Sequence, residues 1–265
     1  MNERVKMLRD RSLASRPSLD AERAVLLTGF YQAEEGRHST PMMRALSFRH
    51  LCEHKTIHIG EGELIVGERG PVPLAVPTFP ELTCHTVEDL RILDTRPKTS
   101  YAVAPGVIEA YRETVIPYWK GRSIRDRVFP ELPEAWHDAY AAGVFTEFME
   151  QRAPGHTTLD GEIYRKGMRD YLAEIEARRA ALDHLEDPDA ARKAEQLEAM
   201  AIACDAIVVF ARRHADLALQ LAAAEREPAR RGELERIAAV CRRVPEHAPR
   251  DLHEALQTYW FAHLG

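Results

Sequence analysis

Residues 189–226 read DAARKAEQLEAMAIACDAIVVFARRHADLALQLAAAER. The stretch contains neither proline nor glycine and consists largely of Ala, Leu, Glu, Gln, Lys and Arg, the residues that lose least on entering a helix. Leu197, Met200, Cys204, Ile207, Val208, Ala211, Leu217 and Leu221 recur at helical spacing, so one long helix with an apolar stripe is expected. Around it, 168–184, 230–243 and 250–264 carry the same pattern. The chain from residue 168 onward is therefore read as helical.

Working towards the N-terminus, the first forty residues also read as helix, broken at Pro17. Ser18, followed by Asp20–Ala21–Glu22, offers a capping start to the second piece, and Pro41 opens a further amphipathic helix through Leu51. From Thr56 to Gly67 the pattern changes to short extended segments around the turn Gly60–Glu61–Gly62. GPVPLAVPTFPE, 70–81, has four prolines and reads as an extended loop. Residues 86–96 and 105–120 read as short helices, and 121–168 as a mixed region punctuated by proline and glycine. The expected class is mainly α with a few short strands, organised over 1–265 without an internal repeat.

Composition limits the function. The 265 residues hold 36 Lys+Arg against 42 Asp+Glu, a formal net charge of −6, with 45% hydrophobic and 29% charged residues. That balance gives no basic footprint for nucleic acid. No apolar run is long enough for a bilayer-spanning helix, and the charged N-terminus lacks a secretory apolar core, so neither a nucleic-acid nor a membrane partner is expected. Cys52, Cys84, Cys204 and Cys241 form no Cys-x-x-Cys pair and read as reduced thiols of a cytoplasmic protein.

Candidate chemistry is sparse. His50, His54 and His58 have the i, i+4, i+8 spacing of metal ligands, but the extended pattern from Thr56 breaks the register and no carboxylate completes a site; no metal is assigned. His253–Glu254 begins like a zinc-protease His-Glu-x-x-His but has no second histidine. The segment 145–158, FTEFMEQRAPGHTT, has no amphipathic period and sets His156 just after Pro154–Gly155. An imidazole on such a turn is either an ordinary surface histidine or a group presented to a cavity, where its pKa near working pH suits proton transfer.

Several segments together point to a family. FMEQRAPGHT at 148–157, ERAVLLT at 22–28, RALSFRH at 44–50, GELIVGERG at 62–70, FPELTCHT at 79–86 and EAMAIACDA at 198–206 resemble the pyruvate formate-lyase-like glycyl radical enzymes, and the likeness runs to the C-terminal WFAHLG. Within that family the chain is most similar to the branch acting on trans-4-hydroxy-L-proline. The resemblance implies the N-terminal helical part of a ten-stranded α/β barrel, with a pocket segment at 145–158 and the C-terminal glycine radical domain absent. It implies a dehydratase in which a thiyl radical abstracts hydrogen from a small-molecule substrate before water is lost. No cofactor is bound directly; the glycyl radical is installed by a radical S-adenosylmethionine activase with an iron–sulfur cluster, and the full-length family member is a homodimer. Phe148 matches an aromatic lining the substrate pocket, and His156 matches a histidine that binds or deprotonates the substrate near its leaving group, making it the one catalytic candidate. Gln151 and Arg152 support the pocket wall.

The departure from the family is equally specific. The thiyl-forming Cys-x-Glu and the radical-bearing Arg-Val-x-Gly motifs have no counterpart: no cysteine has Glu two residues later, and Arg4–Val5, Arg127–Val128 and Arg243–Val244 continue differently. DLHEALQTYWFAHLG, 251–265, ends with Leu256, Tyr259, Trp260, Phe261 and Leu264 still demanding a partner. The expectation is an N-terminal segment, inactive alone, whose apolar end lies exposed. Alternatives are a glycerol or propanediol dehydratase, a formate acetyltransferase-like or carbon–sulfur lyase member, and a non-catalytic helical interaction protein.

Overall fold

A computed structural model describes residues 2–144 and 159–264. The chain is mainly α-helical. Helix α1 (Glu3–Ala14) is followed by strand β1 (Ser18–Asp20), α2 (Glu22–Glu34), α3 (Thr40–His54) and strand β2 (Ala75–Pro77). Then come α4 (Val87–Thr95), α5 (Pro105–Ala110), α6 (Ile116–Trp119), α7 (Ile124–Val128) and α8 (Glu134–Ala141). After the undescribed segment come α9 (Met168–Ala180), α10 (Ala190–Ala224), α11 (Pro228–Arg243) and α12 (Leu252–Leu264).

The long run becomes α10, 35 residues without a break. Its buried face differs from the apolar stripe read in the sequence. Ala199, Ala206, Ala211, Ala215, Ala218 and Ala222 are buried with Val208, Phe210 and His214, whereas Met200 is 47% exposed and Leu221 37%. Small side chains occupy the contact because α3 and α11 pack along α10, and an alanine face lets the helix axes come close. The larger apolar residues are displaced to the flanks.

Local chemistry accounts for the shorter elements. Thr86 and Asp89 form a reciprocal capping box on α4: Thr86 Oγ1 accepts the Asp89 N–H at 3.1 Å and Asp89 Oδ2 accepts the Thr86 N–H at 2.8 Å. Between α5 and α6, residues Tyr111–Val115 widen to a π turn, and the Ile116 N–H reaches back to the Tyr111 carbonyl. Pro117 follows at once; a proline ring clashes with the carbonyl four residues back, and the widened turn removes that clash without ending the helix.

The strands lie elsewhere than expected. Residues 56–67 form turns and irregular backbone rather than strands, and the short parallel pair joins β1 to β2, with Leu19 opposite Val76. The proline-rich stretch thus contributes a strand, one with few amide donors to lose. At the start of α2 the N-cap position is Ala21, without a side-chain cap; Asp20 Oδ1 accepts the Glu22 N–H at 2.8 Å, and Ser18 is held in β1.

The C-terminal apolar face is packed for the most part, Phe261 fully and Tyr259, Trp260 and Leu264 partly, while Leu256 is exposed as expected. Phe261 is fully buried against Phe210 and His214, with ring centroids 5.9 and 5.2 Å away. The irregular 64–67 segment lies along α12: Gln257 exchanges both its amide groups with the backbone of Val66 at 2.8 and 2.9 Å, and Trp260 Nε1 donates to the Gly67 carbonyl at 2.8 Å. Gly67 has φ +115°, a backbone conformation that strains any side chain, and a Cβ there would stand 2.7 Å from Leu264 Cδ1, which would have to move aside. Burial of Phe210 and Phe261 contributes about 2–3 kcal/mol each. On α12 the exposed apolar residues are Leu252 and Leu256.

His214 stands in this contact with Nδ1 on the Phe210 carbonyl at 2.9 Å, and Nε2 has no partner among the described residues. Burial pushes its pKa down to about 4. A histidine held neutral in the fold but titrating near 6.5 when unfolded contributes stability above pH 6.5, and that stability is lost as pH falls towards 4. The loss attributable to His214 is about 3 kcal/mol over that window. Replacing it by Asn, which keeps a donor for the Phe210 carbonyl, should flatten the slope of unfolding free energy between pH 6.5 and 4 in urea titrations. An unchanged slope would refute the assignment.

Candidate functional site

One cavity of about 1250 Å³ opens between α2, α3, the 69–82 segment, the α6–α7 turn and the end of α12. Its lining brings together residues far apart in the chain. From α2 come Glu22, Arg23 and Leu27; from α3, Arg44, Ser47 and Phe48; from the proline-rich stretch, Phe79, Glu81 and Leu82; from α12, His263 and Leu264. These positions fall in ERAVLLT, RALSFRH, FPELTCHT and the C-terminal WFAHLG, and Arg69 adds GELIVGERG. The segments that carry the family resemblance converge on this cavity, with EAMAIACDA, which supplies the α10 core, as the exception.

Arg23 organises the near wall. Its Nη1 and Nη2 donate to the two oxygens of Glu81 at 3.1 and 2.6 Å, Nη1 also reaches the Thr78 carbonyl at 3.2 Å, and the guanidinium lies 4.0 Å over the Phe79 ring. This fork fastens the proline-rich stretch, poor in amide donors of its own, to the first turn of α2. Burial pushes the Asp20 carboxyl up, while Glu22 Oε1 accepts both the N–H and the hydroxyl of Thr56, at 3.0 and 2.5 Å.

Lys55 caps the end of α3 and lays its ammonium over the Phe210 ring, 5.0 Å from the centroid. Burial holds its pKa below the usual lysine range. Arg213 on α10 donates to the Cys52 and Lys55 carbonyls at 2.7 and 2.8 Å, satisfying the last turn of α3. At the α12 rim, Arg69 Nη2 stands 2.6 Å from His263 Nε2. Arginine has no acceptor, so His263 takes the bond as a neutral ring; burial and the Arg69 charge both lower its pKa. At the opposite end Arg122 pairs with Glu35 at 2.6 Å and lies 4.4 Å over Tyr118.

The site residues read from the sequence, Phe148 and His156 with Gln151 and Arg152, lie outside the described residues, as does the whole of the segment 145–158. The described chain leaves at Val144 and returns at Leu159, ahead of the turn Asp160–Tyr164 that packs on α12. His50 and His54 stack at 4.2 Å and His54 Nδ1 is spent on the His50 carbonyl, while α3 ends at His54, ahead of His58. Among the described residues no cluster of three His, Cys, Asp or Glu side chains is placed to hold a metal, and no helix is long and apolar enough to cross a membrane. Burial pushes the Cys52 and Cys241 thiols up to about 12 and Cys84 and Cys204 up to about 11, so all four are protonated at neutral pH.

Sequence reasoning passed over Arg23, Glu81, Lys55 and the Arg69–His263 contact. Arg23 and Glu81 were nevertheless within two of the segments quoted for the resemblance, and a charged residue opening an otherwise apolar helix was the available signal.

The pyruvate formate lyase-like family model matches residues 1–265, and the chain belongs to that family. It is 47% identical over 263 residues to trans-4-hydroxy-L-proline dehydratase of Clostridioides difficile, covering 99% of this chain and 33% of that protein. It is 32% identical over 276 residues to isethionate sulfite-lyase of Nitratidesulfovibrio vulgaris, again covering 99% of this chain and 33% of the relative. The crystal structure of the C. difficile hydroxyproline dehydratase with trans-4-hydroxy-L-proline bound superposes with a TM-score of 0.94 at 46% identity, covering 100% of this chain and 34% of that one. The chain therefore spans about a third of the length of these relatives, which are dehydratases and lyases.

The Arg23–Glu81 fork is largely shielded, the two side chains being 22% and 25% exposed. Glu81→Gln should cost about 1–2 kcal/mol in urea unfolding, because it leaves a shielded guanidinium without its counter-charge. Glu61→Gln, which breaks the Arg11 pair at a carboxylate 82% exposed, should change stability by less than about 0.5 kcal/mol. Equal effects would contradict the role given to the fork.

Proposed function

We propose that this chain is the N-terminal part of a glycyl radical carbon–oxygen lyase that removes water from a small hydroxylated substrate, trans-4-hydroxy-L-proline. The observation that carries this is the 47% identity to trans-4-hydroxy-L-proline dehydratase over 99% of the chain, against 32% to the isethionate sulfite-lyase. The second substrate reading, carbon–sulfur cleavage of a small sulfonate, rests on that weaker likeness.

In this proposal the residues of this chain bind and orient, and move a proton. Phe148 forms an apolar side of the pocket. His156, just after Pro154–Gly155, holds the substrate hydroxyl and exchanges a proton there, since loss of hydroxide from carbon is slow unless it departs as water. Gln151 and Arg152 back the pocket wall. The radical, where present, supplies hydrogen abstraction, and neither the Cys-x-Glu nor the Arg-Val-x-Gly motif that carries it in the family occurs in this sequence. The activating partner is a radical S-adenosylmethionine enzyme with an iron–sulfur cluster, the full-length assembly is a homodimer, and its place is the cytoplasm. Exclusion of water from the assembled site serves such chemistry, and forks such as Arg23–Glu81 would hold the cavity wall in place for it.

Incubated anaerobically with an activase, S-adenosylmethionine and trans-4-hydroxy-L-proline, the 265-residue chain should yield no pyrroline carboxylate by mass spectrometry. Product formation would overturn the assignment of this chain as a non-catalytic part. In a full-length protein carrying this chain, His156→Ala should lower kcat by about a hundredfold or more and remove one limb of its pH profile. A change below about threefold would reduce His156 to a structural residue.

A further inference from the structure

Helix α1 is fastened to the molecule differently from the chain that follows it. Directly after it, Arg16 Nη2 donates to the Asp94 and Tyr101 carbonyls at 2.8 and 3.3 Å. Pro17 accepts the Ala102 N–H at 2.8 Å, and Leu19, a buried residue, donates to the Ala102 carbonyl at 2.9 Å. In α1 itself none of the 12 residues is buried. The half-buried ones are Arg4, Met7, Leu8 and Arg11, which share one face at i, i+3, i+4 and i+7.

Charge holds that face down. At one end Arg4 pairs with Glu233 of α11; at the other Arg11 donates to the Glu61 carbonyl and carboxylate, both at 3.1 Å. Among the described residues no other hydrogen bond or ion pair joins α1 to the chain beyond Ser15. Between the two arginines the Met7 methyl lies on Gly62, whose φ is +76°. The surface beneath has its own support. Arg230 donates to the Gly60 and Glu63 carbonyls at 3.2 and 2.8 Å and pairs with Glu233 at 3.0 Å, so both the turn and the Glu233 charge keep a partner without Arg4.

A helix as short as α1 is marginal in water when it is not docked, so undocking and unwinding are one event. Surface ion pairs are weak, and salt weakens them further as the Debye length falls from about 10 Å at 0.1 M to about 3 Å at 1 M. We propose that α1 is an electrostatic latch: docked on the 60–63 turn and α11 at low ionic strength, and released about Ser15 as an unwound arm at high ionic strength, while the fold from Arg16 onward persists. The latch is independent of the reaction and of the substrate proposed above.

Hydrogen exchange of the 265-residue chain, followed by mass spectrometry, reads the two states. Raising NaCl from about 0.05 M to about 1 M should speed exchange of the α1 amides by about tenfold or more and leave those of α10 and α11 within about twofold. Glu61→Arg lies outside α1, at an exposed position paired with Arg11, and should bring the same acceleration at the lower salt. Combining it with Arg11→Glu restores the pair with its signs exchanged and should recover the slow exchange. Exchange in α1 indifferent to salt or to Glu61→Arg would overturn the proposal, as would a double variant no slower than Glu61→Arg alone. Acceleration of α10 and α11 together with α1 would also overturn it, because release would then be part of general unfolding.

Discussion

Close approach of helices across the alanine face of α10 is the contact on which the rest of the structure depends. Ala206, Ala211, Ala215, Ala218 and Ala222 present little more than methyl groups, so α3 and α11 can pack with their backbones near that of α10. Phe210, Cys52, Leu234, Ile237, Cys241 and Phe261 then fill what the alanines leave. Packing of this density leaves little room for larger residues, which is why Met200 and Leu221 sit outside the contact. The polar groups admitted include the Arg213 guanidinium, which satisfies the end of α3, the neutral ring of His214 and the Gln257 amide, which pairs with the Val66 backbone.

Through α3 and α12 this core sets the cavity. The end of α3 places Lys55 over Phe210, a core residue, and the 64–67 segment, clasped to α12 by Gln257 and Trp260, carries Arg69 to His263. A second core of Leu19, Ala24, Leu27, Leu90, Tyr111 and Trp119 supports the opposite wall. There Thr28 both donates to the Ala24 carbonyl and accepts from Trp119 Nε1 at 2.9 Å. The ion pairs of the lining therefore sit on rigid supports, the condition under which a charged fork fixes geometry instead of fluctuating in solvent.

Much of the helical framework was legible because helix propensity and capping are local properties. The absence of Gly and Pro over 190–224, the capping box at Thr86 and Pro41 in the first turn of α3 each act within a few residues. What sequence alone misplaced depends on partners distant in the chain. The strands follow from parallel pairing between residues 18–20 and 75–77, which no local pattern encodes. The 56–67 segment alternates like strand but spends its backbone on Gln257, Trp260 and His253 of α12. That same clasp covers the aromatic end of the chain, whose apolar residues look unpartnered when read locally. The Arg23–Glu81 fork joins residues 58 positions apart, and only the segments shared with the family pointed to them.

Membership of the pyruvate formate lyase-like family, the shared fold with hydroxyproline dehydratase and the convergence of family-like segments on one cavity describe a chain that spans about a third of its relatives' length and shares their architecture over that span. The central claim is that the wall belongs to a hydroxyproline dehydratase. The most direct measurement joins this chain to the unmatched two thirds of the C. difficile enzyme, activates the chimera anaerobically, confirms the glycyl radical by electron paramagnetic resonance, and offers trans-4-hydroxy-L-proline, isethionate and glycerol separately. The account predicts loss of water from hydroxyproline and no reaction of the other two. A radical-bearing chimera that cleaves isethionate or dehydrates glycerol while leaving hydroxyproline intact would contradict it.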